Sequence, residues 1–302
     1  MEKRVLGKTG MEVSVLGFGG AEIGFERATG ETVSRLLGAA LDAGLNAIDT
    51  AECYGGGDTA SEALIGEAVS GRRGDFYLFT KVGHASGLEG DDWSPEMMAR
   101  SIDRSLQRLK TDYVDLIQLH SCGADLLKQG DVIAVLQRAR EQGKTRFIGY
   151  SGDRQNALYA IECGAFDTLQ TSVNIADQEC IELTLPKAVE AGMGVIAKRP
   201  IANAAWSSGD APPSNSYHTT YWERLRKLAY PFLSGDEAVK TALRFTLTAP
   251  GVHTAIVGTA KPERWRQNAA LLADGARLSD ADFAAIRTRW KETAGADWTG
   301  QG

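Results

Sequence analysis

A helix with one apolar stripe, a short joint and a brief apolar run recur along nearly the whole chain, and that alternation limits the folds open to it. From Glu31, Val33, Leu36, Leu37, Ala40 and Leu41 fall at helical spacing; Gly44 supplies a left-handed stop, and Leu45 to Ile48 follow as a strand. The unit repeats with a helix over Ala60 to Val69, Gly71 as its stop, and a strand at Phe76 to Phe79. The next helix carries the clearest start, with Ser94 at the N-cap, Pro95 at the first helical position and Met98, Ile102, Leu106 and Leu109 as the stripe. A strand over Tyr113 to Leu119 completes that unit. Helices near Asp131–Glu141, Asp153–Cys163 and Gln178–Ala191 alternate with strands at Arg146–Tyr150, Thr168–Ser172 and Gly194–Ala197. After the loop SSGDAPPSNS come helical sequence to Thr248, a strand near Thr254–Val257 and helices over Pro262–Leu272 and Asp280–Trp290.

Counting Val13–Phe18 as the first, the strands number eight, and strands alternating with helices predict a parallel α/β sheet with crossover helices. Eight such units in 302 residues suit a closed (β/α)8 TIM barrel forming one domain over residues 1–302. An open doubly wound sheet is the competitor. It announces a dinucleotide site by G-x-G-x-x-G straight after a strand, and neither GFGGAEIG nor YGGGDTA has that spacing. Lys3 to Met11, with turn signals at Gly7 and Gly10, reads as an N-terminal β-hairpin over the barrel floor, and the last helix is extra to the barrel.

The net charge of −6 argues against a nucleic-acid partner, which demands a basic face. The start MEKRVLGKTG lacks a signal peptide's apolar stretch, and no apolar run approaches ~20 residues, so a cytoplasmic protein with no membrane partner is expected. Cys53, Cys122, Cys163 and Cys180 form no C-x-x-C pair and read as reduced thiols. The four histidines, His84, His120, His218 and His253, show no ligand-pair spacing; no metal is expected, and a metal-dependent barrel hydrolase is disfavoured. Monomer or weak homo-oligomer is the default assembly.

Polar residues end three of the apolar runs: Asp49 after LNAI, Lys81 after FYLFT and His120 after VDLIQL, with Tyr54 in the loop beyond Asp49. In a barrel these are the strand ends that build active sites. Singly, Asp49 could cap a helix, Lys81 could pair on the surface, His120 could sit in the core and Tyr54 could merely pack. Jointly they form a carbonyl-reducing proton relay. Hydride addition builds negative charge on the carbonyl oxygen, which a proton and aimed donors must meet. A phenol is a poor acid at neutral pH, and a neighbouring ammonium lowers its pKa. On this reading Tyr54 gives the proton, Lys81 stabilises tyrosinate, Asp49 orients Lys81, and His120 holds the substrate oxygen.

The segments GLNAIDTAECYG, LFTKVG and DYVDLIQLHS closely resemble signatures of the aldo-keto reductase superfamily, and the likeness runs from VLGKTGMEVSVLGFG to AIVGTAKPERWRQN. The resemblance implies a catalytic tetrad of Asp49, Tyr54, Lys81 and His120 and an extended NADPH across the barrel mouth, with NAD less favoured. It implies nicotinamide contacts from Ser151 and Gln170, mouth contacts from Gly20, a pyrophosphate wrap by Lys198, Arg199, Ile201 and Asn203, and adenosine-phosphate contacts from Gly258, Thr259, Lys261, Arg264 and Asn268. Free N–H groups at a helix start beside Arg264 suit a phosphate on physical grounds as well. Three positions depart from the family pattern. Gly152 stands where asparagine is frequent, Lys198 where many members carry an aromatic residue, and Gly258 where some carry lysine, with Lys261 near enough to compensate.

The implied reaction is reduction of an aldehyde, ketone or sugar carbonyl by hydride transfer. An NAD-preferring sugar or polyol dehydrogenase is the alternative, since the tetrad is neutral to direction; a cofactor-binding regulatory subunit of an ion channel is a second. Specificity falls to the loops after the strands, where Glu22 and Arg27 could meet a polar substrate and Trp93, Trp206 and Trp298 an apolar one. Cys53 and Cys122 adjoin Tyr54 and His120, so their oxidation is expected to inhibit.

Overall fold

In the computed structural model, which describes residues 1–235 and 237–301, the apolar runs pair as parallel neighbours until the last meets the first. Strands β1 (Lys3–Val5) and β2 (Glu12–Ser14) form an antiparallel hairpin. The closed barrel follows: β3 (Leu16–Gly19), β4 (Ala47–Asp49), β5 (Tyr77–Val82), β6 (Val114–His120), β7 (Thr145–Ser151), β8 (Thr168–Ser172), β9 (Gly194–Lys198) and β10 (Val252–Gly258), with β10 against both β9 and β3. This is the (β/α)8 TIM barrel, with the hairpin before it and the extra helix Asp280–Thr293 after it.

The differences from expectation have local causes. The run taken as one strand, Val13–Phe18, divides at Val15: Val13 belongs to the hairpin, and only Leu16 onward enters the barrel. Gln178–Ala191 divides into Cys180–Leu183 and Leu185–Glu190, because Pro186 cannot donate to a continuous helix. The stretch to Thr248 divides likewise, into Thr219–Leu228 and Ala238–Thr248, with a 3-10 turn at Pro231–Ser234 between them. Ser94 holds the N-cap position without capping, since its hydroxyl donates to the Asp91 carbonyl (2.9 Å). Gly71 is no left-handed stop; the helix Ser61–Val69 passes into the 3-10 segment Ser70–Asp75.

Alternate residues of a strand share a face, and here this builds the barrel in layers. Ala47, Phe79, Leu116, Ile196 and Ile256 form the lowest layer, closed from beneath by Leu6, Met11 and Val13 of the hairpin. Arg4 ties that hairpin down through Nη1, donating to the carbonyls of Leu247 and Val252 (both 2.9 Å). Two residues further along three of these strands, and so on the same inner face, stand Asp49, Lys81 and Gln118. The larger core lies between barrel and helices, from Leu36 and Leu37 through Ile65, Met98 and Leu136.

Candidate active site

The expected strand ends stop at the last apolar residue, but the backbone ladder continues one to three residues further and carries the polar residues with it. Strand register then sets their neighbours: Lys81 lies beside Gln118, His120 beside Ser151, and Ser151 beside Gln170. Tyr54 arrives from the loop after β4. Two glycines let that loop close down, because a Cβ on Gly24 would lie 2.4 Å from the Tyr54 carbonyl oxygen, and Gly55, at φ +79, packs back on Gly24. The Ser61 amide donates to the Tyr54 carbonyl (2.8 Å), and the Phe25 ring meets the phenol edge-on at 5.5 Å.

The four tetrad residues converge. Lys81 Nζ donates to Asp49 Oδ2 (2.5 Å), to the Thr50 carbonyl (2.8 Å) and to the Tyr54 hydroxyl (3.3 Å). Both Lys81 and Asp49 are 1 % exposed. The other Asp49 oxygen accepts from Gln118 Nε2 (3.1 Å) and Gln170 Nε2 (2.8 Å), so the carboxylate is braced on both sides. The His120 ring stands edge-on to Tyr54 at 5.6 Å.

Charge follows burial. Desolvation is the largest influence on Lys81 and favours the neutral amine, but Asp49 and Tyr54 together outweigh it and the ammonium is held above its ordinary pKa. Burial likewise dominates at Tyr54, pushing the phenol up to about 12 although Lys81 pulls the other way. The resting hydroxyl is therefore a retained proton, and the expected lowering by Lys81 is only a partial offset. Burial lowers His120, so its ring is neutral at neutral pH, with Glu52 opposing the shift.

The departures find partners that the sequence did not reveal. Lys198 Nζ meets Asp153 Oδ2 (2.9 Å), so the position where the resemblance leads one to expect an aromatic residue carries half of an ion pair. A Cβ on Gly152 would lie 2.6 Å from the Tyr150 hydroxyl, which is itself fixed to the Cys122 carbonyl (2.6 Å); asparagine does not fit there unless Tyr150 moves. The carboxylate of Glu22 fills the space above Gly258. Gly20 lies under Ser61 Oγ, 2.6 Å from where its Cβ would be. Ser151 Oγ donates to Gln170 Oε1 (3.2 Å). Arg199 bonds Ser172 Oγ (2.8 Å), the Tyr217 hydroxyl and the Gln301 carbonyl, so the C-terminal residues lie on this side of the mouth. Ala202, Asn203 and Ala204 all take left-handed backbones, and Asn203 Nδ2 is buried with no partner among the described residues. Thr259, directly after β10, is buried, as is Asn268 in the seven-residue helix Arg264–Ala270 that Arg264 opens; Ile201 is half-buried after β9, and Lys261 and Arg264 stand exposed.

Glu52, Gln118, Asp153 and His84 were missed. Gln118 and Glu52 had a faint signal, a polar residue within an apolar strand and one beside Tyr54. Trp93 packs edge-on to His84 (5.4 Å), which in turn meets His120 (5.4 Å), so it walls the site. Trp298 instead joins a separate cluster and lies over Arg224. Burial pushes the Cys53 and Cys122 thiols up to about 12, leaving little thiolate for an oxidant to attack.

The barrel mouth thus holds a buried lysine between a carboxylate and a phenol. The sequence model of the Aldo/keto reductase family matches residues 15–291, and the chain belongs to that family. It is similar to L-galactose dehydrogenase of Arabidopsis thaliana, 30% identical over 289 residues that cover 91% of this chain and 89% of that protein. The NADH-specific methylglyoxal reductase of Escherichia coli is 26% identical, covering 95% and 98%. Among solved structures, the holo form of aldo-keto reductase AKR11C1 from Bacillus halodurans superposes with a TM-score of 0.83 at 27% identity, over 99% of both chains. Among the described residues no helix is long and apolar enough to cross a membrane.

Proposed function

We propose that this chain reduces aldehyde or ketone carbonyls to alcohols with NADPH, using Tyr54 as the proton donor. The observation that carries the reading is buried Lys81 Nζ within hydrogen-bond reach of both Tyr54 and the buried Asp49. A bound nicotinamide dinucleotide supplies the hydride. Tyr54 gives its proton to the oxygen that gains charge, and Lys81 stabilises the phenolate left behind. Asp49 keeps Lys81 charged, and Gln118 and Gln170 keep Asp49 in place. His120, neutral and beside Tyr54, orients the carbonyl.

The loop after β9 suits such a cofactor. Left-handed backbones at three consecutive residues other than glycine cost of order 1–3 kcal/mol each and cluster at ligand sites. The orphaned Asn203 amide is a donor awaiting a partner. Lys261 and Arg264, both exposed, supply positive charge for phosphates, with Arg199 beside a Lys198 already paired to Asp153, and Thr259 and Asn268 lie near Lys261 and Arg264 in the chain.

The similarity to L-galactose dehydrogenase supports a second reading, oxidation of a sugar, and that to the NADH-specific methylglyoxal reductase supports NAD as its cofactor. One experiment separates them: titrate NADPH and NADH against tryptophan fluorescence in the wild type and in Arg264→Ala, then assay aldehydes and aldoses. Tighter NADPH binding that Arg264→Ala abolishes, with aldehyde turnover, supports the first reading. Equal binding with aldose oxidation favours the second. Failure of both nucleotides to bind refutes both.

A further inference from the structure

Beside the tetrad lies a group that the proposed chemistry does not use. Glu52, 1 % exposed, accepts the His84 amide on Oε1 (2.9 Å), whereas its Oε2 is buried with no hydrogen-bond partner among the described residues. A buried carboxylate oxygen without a donor is costly, and natural proteins seldom leave one. Oε2 faces His120 Nδ1 at 3.7 Å, and Cys53 Sγ lies 3.4 Å from the same nitrogen. The three donor atoms fall within 4.8 Å of one another.

We propose that Glu52, Cys53 and His120 form a three-ligand site for a zinc-class divalent cation, on the Nδ1 side of His120. Bond lengths of ~2.0–2.3 Å place neighbouring donors of a tetrahedral zinc roughly 3.3–3.8 Å apart, and two of the three separations already have that value. The donor types agree, since thiolate and imidazole select zinc-like ions over magnesium and calcium. So does the charge. A carboxylate and a thiolate neutralise a divalent ion in a setting where an unbalanced charge is expensive, and the Cys53 proton leaves for solvent when the ion arrives. The fourth position remains for water, as in zinc sites that are not purely structural. The ion holds His120 as the tautomer protonated on Nε2. If the reductase reading stands, that is the form able to donate to a substrate oxygen; the binding itself does not depend on that reading.

The test is Co2+ titration of the metal-free protein, read by absorption and not by turnover. Wild type is expected to take up one equivalent with a thiolate-to-cobalt charge-transfer band in the near ultraviolet. Equimolar Zn2+ should bleach it, and excess Mg2+ should leave it unchanged. Cys53→Ser should remove the band, Glu52→Gln should weaken binding at least tenfold, and Cys163→Ser should change nothing, with circular dichroism verifying that each variant is folded. A wild type without the band, or a band that survives in Cys53→Ser, overturns the proposal.

Discussion

Changing Asp49 to Asn strikes the residue on which the mouth depends, and the structure allows its cost to be worked out. Asp49 accepts hydrogen bonds on both oxygens, from Lys81 on one side and from Gln118 and Gln170 on the other. An asparagine amide cannot do this in either orientation. With its nitrogen toward Lys81 it sets N–H against ammonium, and with its nitrogen toward the glutamines it sets N–H against two amides. Lys81, 1 % exposed, is left as an uncompensated buried charge, a situation that costs about 3–5 kcal/mol. At roughly 2 °C per kcal/mol in a chain of this size, thermal unfolding should shift down by roughly 6–10 °C. The double variant Asp49→Asn/Lys81→Met separates charge from packing. With the ammonium gone, the asparagine oxygen can accept from both glutamines, and at least half of the lost stability should return while turnover stays abolished. Calorimetry on wild type, both single variants and the double variant measures the coupling. A single-variant loss under about 1 kcal/mol, or a double-variant loss equal to the sum of the singles, refutes the claim that Asp49 is needed to hold a buried cation.

Tyr54→Phe removes the proton donor but leaves the ring on Phe25, so turnover should fall by about 10²–10⁴ with nucleotide binding unchanged in a fluorescence titration. Alcohol oxidation needs the phenolate; with the phenol at about 12, its rate should climb close to tenfold per pH unit from pH 7 to 10 without a plateau, and a plateau near pH 7 contradicts the assignment. Asp177 is buried, bonded to the Tyr221 hydroxyl (3.0 Å) and the Gln301 amide (3.2 Å), and desolvation raises it from 3.8 to about 7. A carboxyl raised in the folded state favours folding fully below its unfolded pKa, and that contribution is lost as pH rises through the folded value. Asp177→Asn should therefore gain stability relative to wild type between pH 4 and 7, by at most about 4 kcal/mol in paired denaturation curves.

The barrel was legible because short apolar runs and helical stripes are local signals. Boundaries were missed where one residue changed the backbone's options, as Pro186 did in the expected helix Gln178–Ala191. Asp49, Lys81 and His120 could be read because each closes a largely apolar run, and Tyr54 because it follows Asp49 closely. Their roles needed pairing. Gln118 carries no mark in the sequence that ties it to Asp49, 69 residues away, and nothing near Lys198 points to Asp153. The Gly152 departure became intelligible only once the Tyr150 ring was seen to occupy the space of a side chain there.

The sequence by itself determined the order of strands and helices and which polar residues follow the apolar runs, because each depends on residues a few positions apart. The tertiary structure alone decided the rest: that Lys81 is charged, that Tyr54 holds its proton, and that Glu52, Cys53 and His120 share one corner. Those outcomes depend on desolvation and on distances across neighbouring strands, and both come into being only when the ring closes.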